Sequence, residues 1–129
     1  AKILLEDKKA DMAPAAVVLR NKEDMVWPNI VKVIVDKNNY ALYFSRSLIP
    51  FPRNRHDRYL RHIGIFGFQV GSLFEYVKLK QTPLELAESL EQLRFLENGY
   101  KIKITIGNFR SVSVDTPEDL AIVRSMIEK

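Results

Sequence analysis

The sequence alternates along its length between strand-like runs and segments that carry helix-start signals. Thr82-Pro83-Leu84-Glu85 and Thr116-Pro117-Glu118-Asp119 each place a threonine before a proline at the first helical position, which is a typical helix start. Strands that alternate with helices predict a single α/β unit, a sheet flanked by helices. Residues 1–9 resemble the end of a further helix. The predicted strands are residues 15–19, 31–35, 40–44, 63–68, 101–106 and 111–114.

Two of these strands predict a β-hairpin. Residues 31–35 and 40–44 are rich in β-branched and aromatic side chains, and residues 36–39 between them read Asp-Lys-Asn-Asn, which are turn-forming residues. Residues 45–59 contain two prolines and are predicted to form a loop.

The segment from Pro83 to Gly99 predicts one continuous helix. Its leucines recur every three or four residues and form an apolar stripe expected to face the core: Leu86, Leu90, Leu93 and Leu96. Glu88, Glu91 and Gln92 share the opposite face, where they could hydrogen-bond the hydroxyls of a sugar. A solubilising surface is the more common role of glutamates on such a face.

Composition excludes several classes of protein. The chain has 129 residues and no cysteine, so it is sized for one domain and has neither disulfides nor thiolate chemistry. Its two histidines exclude a three-histidine metal site. No apolar run approaches the ~20 residues that span a bilayer, and the mixed charges at the start are not those of a signal peptide. We expect a soluble, cytoplasmic protein that contacts no membrane.

The net charge of +4 is concentrated in one segment. Between Arg46 and Arg61 lie five arginines and a single acid, Asp57, so this segment carries as much net charge as the whole chain. Such a local cluster favours an anion site over a basic face laid along nucleic acid, and we expect no nucleic-acid partner. A solvated surface loop explains the arginines equally well. Arg46 is the best candidate for a ligand contact because it follows a strand.

Two further residues could contribute to chemistry. Asp115 lies between a predicted strand and a capped helix, at the sheet edge where α/β folds bind ligands, and its carboxylate could hold Mg²⁺ against phosphates. Stabilising the helix start is the commoner role of an aspartate at that position. His62 could contact a ligand, but its spacing favours a core histidine. The sequence contains no GxxxxGK[ST], GxGxxG or GxSxG motif.

Several segments, in this order, resemble the C-terminal half of the CMP-Kdo synthetases, the 3-deoxy-manno-octulosonate (Kdo) cytidylyltransferases. The matching stretches cover nearly everything from Ala10 to the C-terminus and are PNIVKVIVD, YALYFSRSLIPFPR, YLRHIGIFGF, TPLELAESLEQLRFLENGYKI and VDTPEDL. The chain departs from the family at Phe66, where a tyrosine is common, at Ser113, where a glycine is common, and in a shorter loop after Arg53.

The resemblance implies a Rossmann-like nucleotidyltransferase fold with a mixed sheet. It also implies a cytoplasmic, homodimeric, Mg²⁺-dependent enzyme that transfers a cytidylyl group from CTP to Kdo, releasing pyrophosphate, for lipopolysaccharide biosynthesis. Residues 1–129 would form its sugar-binding and dimerisation half, inactive alone, with the CTP-binding half expected upstream.

The resemblance also assigns site residues. Asp115 would be the catalytic Mg²⁺ ligand, working with a second aspartate from the CTP-binding half. The sugar acid would be bound by Arg46, Arg53, His62, Glu91 and Gln92. The alternative is a stand-alone, non-catalytic module that binds an acidic sugar or dimerises.

Overall fold

The computed structural model describes residues 10–107 and 116–127, apart from the side chains of Ile65, Phe66 and Met126. The five described strands are β1 (Met12–Val18), β2 (Lys32–Val35), β3 (Ala41–Ser45), β4 (Leu60–Phe68) and β5 (Thr105–Ile106). The five described helices are α1 (Lys22–Val26), α2 (Val70–Lys78), α3 (Pro83–Glu88), α4 (Gln92–Glu97) and α5 (Pro117–Ile127).

The described strands form one mixed sheet in the order β3-β2-β4-β1-β5. β1 pairs with β5 in parallel, whereas the other neighbouring pairs are antiparallel. This arrangement confirms the predicted α/β class with a mixed sheet.

The predicted hairpin is confirmed as β2 and β3, with one register shift between Ile34 and Val35. Its turn is stabilised locally, because the Asp36 carboxylate accepts hydrogen bonds from the backbone N–H groups of Asn38 (2.8 Å) and Tyr40 (3.0 Å). Asn39 takes a positive φ of 65°, which asparagine tolerates better than most residues. The turn chemistry in the sequence therefore matches the turn that forms.

Three predicted strands have different lengths in the structure. β1 begins at Met12 rather than at residue 15, and β4 begins at Leu60 rather than at residue 63. Of the predicted strand 101–106, only Thr105–Ile106 forms a regular strand, together with isolated bridges at Ile102 and Lys103. Residues 46–59 form the predicted loop without regular structure, and this segment is called the arginine loop below.

The prediction of one helix from Pro83 to Gly99 is wrong. Ser89 adopts the left-handed conformation (φ 54°, ψ 49°) and separates α3 from α4. Because of this break, the leucines of the predicted apolar stripe do not all face the core: Leu86 is 60% exposed, whereas Leu93 is fully buried. The predicted helix start itself is confirmed, since the Glu85 carboxylate accepts the backbone N–H of Thr82 at 3.2 Å.

The main core lies between the sheet and the α3–α4 pair. It combines residues from β1, β2, β3 and α4 with the segment before β5, and its most buried members are Met12, Val33, Phe44, Leu93, Phe95, Ile102 and Ile104. A smaller cluster of Leu19, Ile30 and Tyr59 lies beneath the arginine loop.

The second predicted helix start is also confirmed. In front of α5, Thr116 Oγ1 accepts the N–H of Asp119 and the Asp119 carboxylate accepts the N–H of Thr116, each at 3.1 Å. The sequence did not predict α1 or α2. The predictions for residues 1–9, the strand 111–114, Ser113 and Asp115 lie outside the described residues. No helix within the described ranges has the length and apolar character that crossing a bilayer requires.

Candidate functional site

A cleft of about 960 Å³ opens between α1 and the arginine loop. Its apolar part includes Leu19, Met25, Val26, Leu48 and Tyr59, and its rim carries Arg20, Lys22, Arg53, Arg55 and His56. Among the described residues that line the cleft, the one acid, Asp57, already pairs with Arg55 at 2.8 Å. An anion is therefore the ligand that the charges of this cleft favour.

The C-terminal end of the arginine loop is held by aromatic and hydroxyl contacts rather than by its arginines. The Tyr59 hydroxyl donates to the carbonyl of Pro50 at 3.1 Å, and the His56 ring lies edge-on to Tyr59 with centroids 4.9 Å apart. Arg53 and Arg58 are exposed, and Arg55 remains 88% exposed despite its ion pair. Arg55 and Arg58 are therefore solvated surface arginines.

Arg46, which immediately follows β3, is held by backbone carbonyls. Its guanidinium donates to the carbonyls of Glu88 (2.7 Å), Pro28 (3.0 Å) and Ser89 (3.2 Å). Guanidinium has five N–H groups, so two of them make no hydrogen bond to the described residues. Arg46 therefore joins the turn after α1 to the α3–α4 junction.

Glu88 lies on the other side of this contact. Its carboxylate accepts hydrogen bonds from Ser45 Oγ (2.8 Å) and the backbone N–H of Arg46 (2.9 Å). Burial acts to raise the pKa of Glu88, but these hydrogen bonds, one from the Tyr43 hydroxyl and the charge of Arg46 outweigh it, so the pKa is lowered. Glu88 is thus a charged anchor and not a solubilising or sugar-facing glutamate.

Lys32 is the functional candidate that the sequence did not single out. The side chain is fully buried, and its ammonium donates to the carbonyls of Arg46 (2.6 Å), Ile30 (2.7 Å) and Trp27 (2.8 Å). Burial, followed by the charge of Arg46, lowers its pKa. The available signal was a single cation inside the apolar run Val-Lys-Val-Ile-Val.

His62 lies in β4 and is half-buried, with its ring edge-on to Phe44 at 5.2 Å between centroids. Burial lowers the pKa of His62 from 6.5 to about 4, so the imidazole is neutral at pH 7. The ring thus packs against a core phenylalanine, and a contact of His62 with a ligand stays a prediction. A neutral imidazole can still hydrogen-bond a hydroxyl, but it brings no charge to a carboxylate.

Glu91 and Gln92 do not share an exposed helix face, and that expectation is wrong. Glu91 is exposed and lines a recess of about 220 Å³ at the α3–α4 junction, whereas Gln92 is buried. The left-handed turn at Ser89 changes the direction of the chain between Glu88 and these two residues, so helical spacing across the break does not apply.

The structure brings some of the predicted site residues to one region. Arg46 contacts the carbonyl of Ser89, two residues before Glu91, at the α3–α4 junction. Arg53 instead lines the cleft, and His62 packs on the sheet. Asp115 lies outside the described residues. Within residues 10–107 and 116–127, no three His, Asp or Glu side chains form a group that could hold a metal ion.

Comparison with known proteins is consistent across sequence and structure. The family model described as "Cytidylyltransferase" matches residues 1–104. The 3-deoxy-manno-octulosonate cytidylyltransferase of Fusobacterium nucleatum is 50% identical over 125 residues, 96% of this chain and 51% of the relative. That of Photorhabdus laumondii is 46% identical over 127 residues, 92% of this chain and 51% of the relative.

The fold is also shared with a solved enzyme. The structure of CMP:2-keto-3-deoxy-manno-octonic acid synthetase complexed with CTP superposes with a TM-score of 0.92 at 36% identity, over 98% of this chain and 53% of the other. The chain spans about half the length of the relatives it matches, and its assignment to their C-terminal half stays a prediction. With the family model matching residues 1–104, the chain belongs to the cytidylyltransferase family.

Proposed function

We propose that the whole protein containing this chain is a cytidylyltransferase that activates Kdo with CTP, giving CMP-Kdo and pyrophosphate for lipopolysaccharide biosynthesis. The observation that carries the proposal is the TM-score of 0.92 to a synthetase for this sugar acid that was solved with CTP. Relatives that are 43–50% identical to this chain over the aligned residues carry the corresponding name. Following the resemblance, we propose the cytoplasm as its location.

The proposed reaction is a substitution at phosphorus. A hydroxyl oxygen of Kdo forms a bond to the α-phosphorus of CTP, the bond from that phosphorus to the bridging oxygen breaks, and pyrophosphate leaves as the hydroxyl loses its proton. Because the substrates supply both the nucleophile and the electrophile, the protein contributes mainly their orientation and the neutralisation of their charge. Kdo is an acid, so a cationic site on this chain has a clear purpose.

The arginines are the groups we assign to the sugar acid. Arg53 is exposed on the rim of the cleft, where its guanidinium can meet a carboxylate through two parallel hydrogen bonds. Arg46 retains two N–H groups that make no bond to the described residues, close to the exposed Glu91. We propose Arg46 and Arg53 for the carboxylate and hydroxyls of Kdo. We propose that the sugar pocket is completed by His62, Glu91 and Gln92, which would hydrogen-bond hydroxyl groups of the sugar.

We propose Mg²⁺ as the cofactor, with Asp115 as a ligand. Magnesium characteristically takes one or two carboxylates together with substrate phosphates, and when bound it neutralises phosphate charge. The proposed site is shared between Asp115, a second carboxylate and the nucleotide. Asp115→Asn should therefore reduce turnover severely without unfolding the enzyme. Unchanged kinetics at low Mg²⁺ would remove this role.

We also propose a homodimer. On α2, Val70, Leu73, Phe74 and Val77 follow helical spacing and are each 40–70% exposed, so they form an apolar stripe that the described residues leave uncovered. Such a stripe is typical of an interface. Light scattering should give twice the chain mass for the whole protein, and Phe74→Glu should give a monomer. A wild-type monomer would contradict the proposal.

Substrate kinetics on the whole protein test the sugar-acid site. Arg53→Ala and Arg46→Ala should raise the KM for Kdo by tenfold or more and leave the KM for CTP nearly unchanged. Arg58→Ala is the matched control, since Arg58 is an exposed arginine of the same loop and should change neither KM. Equal increases in both KM values would move these arginines to the nucleotide. Binding of Kdo without release of pyrophosphate would favour the non-catalytic module.

A further inference from the structure

Lys32 has a chemistry that suits holding backbone in place and does not suit binding a substrate. An ammonium offers three N–H donors, and each of the three is used by a carbonyl, those of Trp27, Ile30 and Arg46. The side chain is fully buried, and its ammonium hydrogen-bonds these three oxygens. Nothing on Lys32 is left over to contact a substrate.

Two of the three carbonyls belong to segments that adjoin opposite walls of the cleft. Trp27 directly follows α1, whose residues Met25 and Val26 line one wall. Arg46 begins the arginine loop, and Leu48 two residues later lines the other wall. One ammonium therefore bridges the segment after α1 and the base of the arginine loop.

The same ammonium completes the support of Arg46. The carbonyl of Arg46 accepts from Lys32 at 2.6 Å, and its N–H donates to Glu88 at 2.9 Å. Both backbone polar groups of Arg46 are thus bound by charged side chains on opposite sides, which restricts where its guanidinium can lie. The Lys32 and Glu88 side chains form a frame around this one residue.

We propose that Lys32 is a positioning residue that fixes Arg46 and the two walls of the cleft in the geometry that binds the sugar acid. The inference rests on the proposed function. A long apolar side chain such as methionine would fill the buried space but leave three convergent carbonyls without a donor, and unsatisfied buried acceptors drive local rearrangement. The rearrangement would fall on Arg46 and the cleft.

The test is Lys32→Met in the whole enzyme, assayed by pyrophosphate release with CTP and Kdo varied separately. We expect the KM for Kdo to rise at least tenfold while the KM for CTP stays within twofold. Lys37→Met is the matched control, because Lys37 is an exposed lysine in the turn after the same strand; it should leave both KM values unchanged. A purely structural role would lower the melting temperature and the active fraction with both KM values unchanged, which would overturn the proposal.

A second variant covers the case in which Lys32→Met does not fold. Glu88→Gln loosens the other side of the frame and should also raise the KM for Kdo selectively, by a smaller factor. An unchanged KM for Kdo in Glu88→Gln, or equal changes for both substrates in either variant, would show that the frame does not position the site. If the wild-type enzyme releases no pyrophosphate, the proposed function fails and the positioning role fails with it. An active wild type with unselective variants overturns the positioning role alone.

Discussion

Arg46 and Glu88 lie 42 residues apart and bind each other through two hydrogen bonds. The backbone N–H of Arg46 donates to the Glu88 carboxylate at 2.9 Å, and Arg46 Nε donates to the Glu88 carbonyl at 2.7 Å. This reciprocal contact fastens the end of β3 to the end of α3. α3 ends at the left-handed Ser89, where the carbonyls of Glu88 and Ser89 accept hydrogen bonds from Arg46.

Glu88→Gln should destabilise the fold. The substitution keeps the shape of the side chain but replaces a charged acceptor of several hydrogen bonds, for which a loss of about 1–3 kcal/mol is expected. Urea unfolding followed by circular dichroism measures it. Glu75→Gln, at an exposed position of α2, should change the free energy of unfolding by less than about 0.5 kcal/mol. Equal effects of the two substitutions would contradict the anchoring role of Glu88.

Arg94→Met should be the most destabilising of the ion-pair substitutions. Arg94 forms a two-pronged ion pair with Glu85, whose side chain is only 4% exposed, and its guanidinium also lies over the Tyr76 ring at 4.9 Å. Removing the arginine leaves a buried carboxylate without its partner, at a cost of about 3–5 kcal/mol. Thermal and urea unfolding of the variant measure the loss.

The exposed pair of the arginine loop is the control for this prediction. Arg55 and Asp57 pair at 2.8 Å with side chains 88% and 76% exposed, and exposed pairs contribute little. Asp57→Asn should therefore leave the melting temperature nearly unchanged. If it destabilises the chain as much as Arg94→Met does, burial is not what gives the Glu85–Arg94 pair its strength.

His62 should make stability fall between pH 6.5 and pH 4. Burial lowers its pKa to about 4 in the folded chain, whereas the unfolded chain protonates it near 6.5, so acid favours the unfolded state in that window. The loss should reach roughly 2–3 kcal/mol by pH 4.5. Glu85 and Glu88 also have lowered pKa values. The stability that they contribute is lost at lower pH, as the pH falls from the ordinary carboxylate pKa towards their lowered values.

Urea titrations at several pH values separate these groups. His62→Gln should flatten the decline between pH 6.5 and 4.5 and leave the decline at lower pH intact. The matched variant is His56→Gln, at an exposed position of the arginine loop, which should retain the wild-type profile. A wild-type profile in His62→Gln would show that another group titrates in this window.

Ser89→Gly should stabilise the chain. Ser89 has a φ of 54°, in the left-handed region that glycine enters without steric cost. Its contact with Arg46 uses only the backbone carbonyl, which glycine keeps. A gain of roughly 0.5–1 kcal/mol in urea unfolding is expected. Ser89→Val should lose stability instead, and a stabilising valine would show that the turn between α3 and α4 is not strained.

The elements that sequence predicted correctly are those whose signals are local. The Asp36–Asn39 turn and the Thr82 and Thr116 helix starts each contain, within four residues, the groups that make their hydrogen bonds. The short strand-like runs likewise located β1 and β4, although both strands begin three residues earlier than predicted.

The features that sequence missed depend on partners far along the chain. The break at Ser89 accompanies contacts to Arg46, and the burial of Lys32 depends on carbonyls that converge only after the hairpin and the arginine loop have folded. Helical spacing therefore placed Glu88 on a solvent face, where the structure shows an anchor. The sequence showed the arginines as a cluster. It could not show that Arg46 binds backbone carbonyls while Arg53 and Arg55 line the cleft, because both depend on the fold.

Pyrophosphate release by the whole protein from CTP, Kdo and Mg²⁺ tests the central claim most directly. The account predicts release that requires all three and that stops when Kdo is omitted. Release with CTP and Mg²⁺ alone, or no release with all three present, would contradict the claim that this cytidylyltransferase activates Kdo.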